Sequence, residues 1–203
     1  EANSNLAVGV KENIFLILKM ILETKPKNWK IYYKEHPCSF LPTSKGSLAR
    51  DKEFYNEILA LDDVIFISHQ INTFECIDNS KVVCTAGGTA GWEALIRGVP
   101  SIIFGSLWYQ SCKSLFKIEK ISDLKFAFKK IESGYIPDQK DIIKFTESCY
   151  RSSYSSLIRI NDRKLFLNND NNKLIEHHAN CFYNEFLRSV LKNRNYTDPY
   201  KLK

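Results

Sequence analysis

The chain has 203 residues, 44% of them hydrophobic, which is enough for one cored domain with an appendage. Its formal net charge is +6 and its pI is near 8.9, with the lysines scattered rather than clustered. That balance suits an anionic small ligand or a membrane surface and argues against a nucleic-acid partner. From about Val8 to Glu23, apolar residues recur at Val10, Ile14, Ile17, Leu18, Ile21 and Leu22, the spacing of a helix with a wide buried face. The run is too short to cross a bilayer, which takes roughly 18 apolar residues, and it carries Lys19. Pro26 ends it, and Trp29 to Tyr33 reads as a strand.

Lys34-Glu35-His36-Pro37 follows, then a polar loop through Arg50. Asp51 can cap a helix to about Leu61, and Val64 to Ile67 is a strand. Asn72, with Glu75 three residues on, is a capping signal for a helix to about Asn79. Lys81 to Thr85 is β-rich and enters Ala86-Gly87-Gly88-Thr89. A helix from Ala90 to Arg97 leaves that turn, stopped by Gly98 and Pro100, and Ser101 to Phe104 is a further strand. Ser122 is the expected cap of the next helix, with Gly134 just past its end. After Pro137 the strand pattern stops. Asp138 to about Ile160 reads as a helix, and a last helix runs to about Lys192.

Strands and helices alternate four times with short connections, which predicts α/β: a parallel sheet with helices on both faces. Such sheets bind ligands at the carboxyl ends of their strands. His36, Ser68 and Thr89 each lie just past a strand, so the order of elements aims all three at one crevice. The turn at Gly88 and Thr89 has the form of a phosphate cradle. Glycine allows close backbone approach, and N–H groups at the following helix face the anion. Glu93, one helical turn on, is placed to accept hydrogen bonds from vicinal sugar hydroxyls.

The six cysteines show no Cys-x-x-Cys pair and no finger spacing with the four histidines, so reduced thiols and a cytoplasmic location are expected. There is no Asp-x-Asp motif. His177-His178 lacks a partner at metal spacing, so no metal is expected. The chain opens Glu1-Ala2-Asn3-Ser4-Asn5, as if cut from something longer, without a charged segment leading an apolar one.

Three blocks carry a family likeness: Ile31 to Pro37, Val64 to Ser68, and Gly88-Thr89-Ala90-Gly91-Trp92-Glu93-Ala94-Leu95 through Gly105 with Trp108-Tyr109. Together they resemble the capsule polysaccharide biosynthesis family, whose best-known members transfer Kdo from CMP-Kdo. The likeness spans about Glu1 to Ile118 and ends before Gly134. It implies a glycosyltransferase of the GT-B type, of which this chain would be the C-terminal, donor-binding half. Residues 1–136 would form a Rossmann-like nucleotide-sugar-binding domain and residues 137–203 a helical extension. Glu1-Ala2-Asn3-Ser4 resembles the segment after that domain's first strand, so the strand itself would precede Glu1. The acceptor-binding half, which usually carries the general base, is missing too, so the fragment alone is expected to turn over little.

By the same resemblance, His36 contacts the donor phosphate and is the catalytic candidate, because a hydrogen-bond donor there stabilises charge on the leaving phosphate. Lys34, Ser68, Gly88, Thr89 and Glu93 complete the nucleotide and phosphate set. Trp108 and Tyr109 either line the sugar pocket or pack on the missing domain. Glu35 orients the loop or pairs with a base such as Arg50, and Trp92 packs between helix and sheet. A nucleotide-sugar donor, a polysaccharide or glycolipid acceptor and a peripheral membrane surface are the implied partners, with no cofactor. The rival readings are a UDP-sugar transferase or epimerase on the same fold, a CDP-glycerol polymerase, and a non-catalytic interaction module.

Overall fold

The computed structural model describes residues 13–40 and 50–153, together with residues 176, 179–181 and 183–184. The chain divides into two compact units, 1–146 and 147–203. The division falls within the helix Gln139–Ser152.

The first helix, α1 (Ile14–Thr24), is capped by Asn13, whose side chain accepts from the Leu16 N–H at 3.0 Å. Its expected start at Val8 lies outside the described residues. Strand β1 (Ile31–Lys34) leads into a 3-10 turn (Pro37–Phe40), and helix α2 (Lys52–Leu59) is capped by Asp51 as expected. Strand β2 (Val64–Ile67), helix α3 (Thr73–Asp78), strand β3 (Val83–Thr85), helix α4 (Ala90–Ile96) and strand β4 (Ser101–Ile103) follow, each within a residue or two of the sequence reading. A two-residue strand, β5 (Phe116–Lys117), was not expected. Helix α5 (Ile121–Glu132) is capped differently from the sequence reading. Ser122 lies inside it, and the Asp123 carboxylate reaches back to accept from the Glu119 and Lys120 N–H groups. That acid at the first turn also suits the helix dipole. At its other end Gly134, at φ +90°, closes a Schellman turn, with the Tyr135 N–H bonded to Lys130 O and the Gly134 N–H to Ile131 O. Helix α6 (Gln139–Ser152) completes the described elements.

All strand pairing among the described residues is parallel, and the fold is α/β with flanking helices, Rossmann-like in character. The pairing differs from the expected single sheet. Strands β1 and β2 form one pair, with Ile31 opposite Val64 and Lys34 opposite Ile67. Strands β3, β4 and β5 form a second sheet in that order. One apolar core nevertheless joins them. It gathers Ile17 and Ile21 of α1 with Ile102, Phe104 and Leu124, and Trp29, Ile31, Val82 and Cys84 pack against it. A second core holds Leu95, Ile103, Leu107, Tyr109 and Ile142. No described helix is long and apolar enough to cross a membrane.

Candidate functional site

The first part of the site follows β1. Lys34, the last residue of the strand, donates from Nζ to the His69 carbonyl at 3.1 Å and so ties the end of β1 to the loop after β2. Glu35 turns inward and is only 4% exposed. A carboxylate that deep needs partners, and it has four. The Tyr33 hydroxyl donates at 2.7 Å, the Ser39 hydroxyl at 3.0 Å, Arg50 Nε at 3.1 Å and the His36 N–H at 3.3 Å. Arg50 supplies the counter-charge and is itself largely covered. Burial, and then the neighbouring Glu35 charge, push the Tyr33 phenol far above its ordinary range, so it remains a donor. The expectation that Glu35 orients this loop and pairs with Arg50 is met. Around that hub the 3-10 turn presents His36 as an exposed side chain. Ser68, just past β2, is also exposed, and its hydroxyl oxygen accepts from the Gln70 N–H at 3.2 Å. His69 packs against the Phe40 ring with centroids 4.6 Å apart, which joins the two loops again.

The second part is the glycine turn after β3. Gly88 has φ +93°, a conformation that a side chain would strain. Thr85 donates to Gly87 O at 2.5 Å, and the Tyr109 hydroxyl donates to Gly88 O at 2.9 Å. Tyr109 is fully buried. It therefore acts as a clasp under the turn rather than as an exposed ring. Burial raises its phenol above the ordinary range, which keeps the proton on the oxygen. Gly91 is required by contact: an added Cβ would lie 2.7 Å from both Ser101 Oγ and Tyr109 OH. Thr89 occupies the N-cap position of α4 without capping it. Its hydroxyl donates instead to Glu93 Oε1 at 2.5 Å, so the threonine and the acid form one unit.

Trp92 is half-buried and packs on the second core, with ring contacts to Trp108 (5.1 Å), Phe145 (5.6 Å) and Tyr109 (5.9 Å). Trp108 is 57% exposed and so offers an aromatic face beside Trp92 of α4. Of the two aromatic residues singled out for a sugar pocket, only Trp108 has that freedom. Cys84, inside β3, has its thiol pushed up to about 12 by burial, which makes it a packing group rather than a nucleophile. No three His, Cys, Asp or Glu side chains gather as a metal site among the described residues. His177 and His178 lie outside them.

The structure thus groups the candidates in two sets. Lys34, His36 and Ser68 sit at the carboxyl ends of β1 and β2. Gly88, Thr89 and Glu93 sit at the carboxyl end of β3 and the start of α4, and Trp108 packs on Trp92 of that helix. What the sequence did not disclose was the role of Tyr109. A tyrosine shortly after a strand looks like a pocket wall, and only the fit to Gly88 and Gly91 shows it to be internal support.

Comparison with known proteins gives one positive result. The family described as capsule polysaccharide biosynthesis protein matches residues 5–113. No curated protein and no solved structure matches. The match takes in β1 through β4 and both groups of candidate residues, and it covers just over half of the sequence. The chain belongs to the capsule polysaccharide biosynthesis family.

Proposed function

We propose that this chain is the donor-nucleotide-binding part of a GT-B glycosyltransferase acting in capsule or surface polysaccharide synthesis, with CMP-Kdo as its donor. One observation carries the reading. Within a chain of this family, β1 and β2, parallel to each other, and β3, parallel to β4, each end in a segment whose residue types suit a phosphate or a sugar: Lys34 and His36, Ser68, and the Gly88–Thr89 turn. Ligands of open α/β sheets bind at such ends.

In this reading the amides of the Gly88–Thr89 turn and the Lys34 ammonium meet the donor's phosphate. Glu93 receives the ribose. Its Oε1 is engaged by Thr89, so a ligand hydroxyl would approach Oε2. His36 donates to a phosphate oxygen. As the sugar–phosphate bond breaks, negative charge grows on the leaving phosphate while the sugar becomes oxocarbenium-like. A fixed donor at that oxygen stabilises the transition state more than the ground state. The Glu35–Arg50 hub fixes the turn that presents His36, so less ordering is left to the moment of binding. The acceptor and the general base belong to a separate domain, and membrane contact would come through a glycolipid acceptor.

Calorimetry with CMP, and with UDP as the competing nucleotide, tests this. CMP should bind, UDP should not, and His36→Ala and Glu93→Ala should each weaken CMP by at least about tenfold, about 1.4 kcal/mol. Unchanged CMP affinity in both variants would defeat the assignment, and preference for UDP would redirect it to another nucleotide sugar.

A further inference from the structure

Of a nucleotide's three parts, the phosphate and the ribose have partners in the site proposed above, and the base has none. A base is a flat ring, and proteins hold it chiefly by laying aromatic side chains against it. Phe40 has the position and the exposure for that. It closes the 3-10 turn that begins at Pro37, on the same short stretch of chain as His36, and 44% of it is exposed. A phenylalanine left that open forgoes part of the stabilisation that burial would give it.

The ring is exposed but held. It meets His69 of the loop after β2 with centroids 4.6 Å apart, and it lies nearly parallel to Tyr55 of α2, at 6.5 Å and 9°. Tyr55 in turn stands edge-on to Phe66 of β2 at 5.5 Å, and Phe66 meets Tyr33 of β1 at 5.4 Å. This series of rings roots Phe40 in the β1–β2 pair. The backbone beneath it is fixed as well. The Ser39 N–H bonds to His36 O at 2.9 Å, and the Ser39 hydroxyl donates to the buried Glu35 carboxylate at 3.0 Å. The facing loop is tied down by the Lys34 Nζ bond to His69 O. An aromatic surface fixed in advance loses little freedom when a ligand ring settles on it.

Taking a nucleotide as the ligand, as proposed above, we infer that its base stacks on the exposed surface of Phe40, with His69 and Tyr55 as the rings that hold Phe40 in place. The loop beside it supplies the polar partner that the rim of a base needs. The Ser68 hydroxyl oxygen accepts from the Gln70 N–H and keeps its own hydrogen to donate, and a pyrimidine carbonyl or ring nitrogen is a suitable acceptor. One turn of chain then holds both ends of the nucleotide, the phosphate at His36 and the base at Phe40. The Glu35–Arg50 hub, which anchors that turn through Ser39 and the His36 N–H, sets the two at a fixed spacing. Phe40 reads the aromatic ring of the donor, whatever sugar the donor carries.

NMR titration of the 203-residue chain tests this with two probes, CMP and ribose 5-phosphate, the second of which has the sugar and phosphate without the base. On binding, the cytosine H5 and H6 signals should move upfield under the Phe40 ring and show cross-relaxation with its protons. Phe40→Ala should abolish that shift and weaken CMP about tenfold or more, while ribose 5-phosphate changes by less than about twofold. Phe40→Tyr, which keeps the ring, should bind CMP as the wild type does. If Phe40→Ala leaves CMP affinity unchanged while His36→Ala weakens it, the stacking is overturned and the donor assignment stands. Equal weakening of both probes by Phe40→Ala would show that Phe40 only supports the His36 turn, and would overturn the stacking too. Failure of CMP to bind the wild-type chain would overturn the donor assignment and the stacking with it.

Discussion

The β1–β2 pair and the β3–β4–β5 sheet each present a loop at the end of a parallel strand, but they hold that loop by different means. Beside β1 the support is polar. A buried carboxylate, Glu35, gathers a phenol, a hydroxyl, a guanidinium and a backbone amide. Beside β3 the support is steric. Gly91 lets α4 lie against Ser101 and Tyr109, and the Tyr109 phenol clasps the turn by a hydrogen bond to Gly88 O. A charge hub fixes its loop only while both charges are present, whereas packing fixes a loop as long as volumes match. The two halves of the site should therefore break under different substitutions.

The largest effect is expected at the hub. Glu35→Ala leaves the Arg50 guanidinium and the Tyr33 hydroxyl without their acceptor and should cost about 3 kcal/mol in urea unfolding. If the loss is below about 0.5 kcal/mol, the carboxylate is not holding that loop. Next is Gly91→Ala, whose methyl collides with two oxygens at 2.7 Å. It should cost about 2 kcal/mol and disturb amide shifts around Gly88 while leaving those around His36 in place. Equal disturbance of both loops would show that the two supports are not separate. Tyr109→Phe removes the clasp to Gly88 O together with the hydroxyl's backbone hydrogen bonds at Trp92 and Gly91, and should cost about 1 kcal/mol, again confined to the second sheet.

The smallest effect sharpens the polar side of the comparison. Asp63, just before β2, is held at about 2, chiefly by its hydrogen bond from Lys25 and then by that from Lys30. Its folded value lies below the ordinary carboxylate value of about 3.9. Its contribution is therefore present above about pH 4 and is lost as the pH falls toward 2. Asp63→Asn is the suitable variant. The residue has φ +66°, and asparagine tolerates that conformation as aspartate does. Thermal melts should show the wild-type advantage over Asp63→Asn shrinking between pH 4 and 2. A constant difference across that range would remove the charge from the explanation.

Much of this was legible in the sequence, for identifiable reasons. Asp51 and Asn72 are short polar side chains ahead of amphipathic runs, and both cap the helices they precede. The glycine turn between β3 and α4 was marked by residues with few other uses. Strand β5 escaped because two residues have no periodicity. Ser122 has the residue type of a cap, but the Asp123 carboxylate is longer and reaches the free amides from inside the helix. The division into two sheets was invisible for a deeper reason. Alternation of strands and helices gives their order and their parallel sense, but which strands lie side by side is decided by packing across the sheet, which the pattern does not carry. The burial of Tyr109 was hidden likewise, since it depends on a close approach across twenty residues to Gly88.

The central claim is that loops from both sheets grip one nucleotide. Titration of CMP into the chain, followed by the backbone amide signals of His36, Ser68, Gly88 and Thr89, tests it most directly. The account predicts that all four move together and give a single Kd. Movement confined to one sheet, or four signals that stay still at saturating CMP, would contradict it.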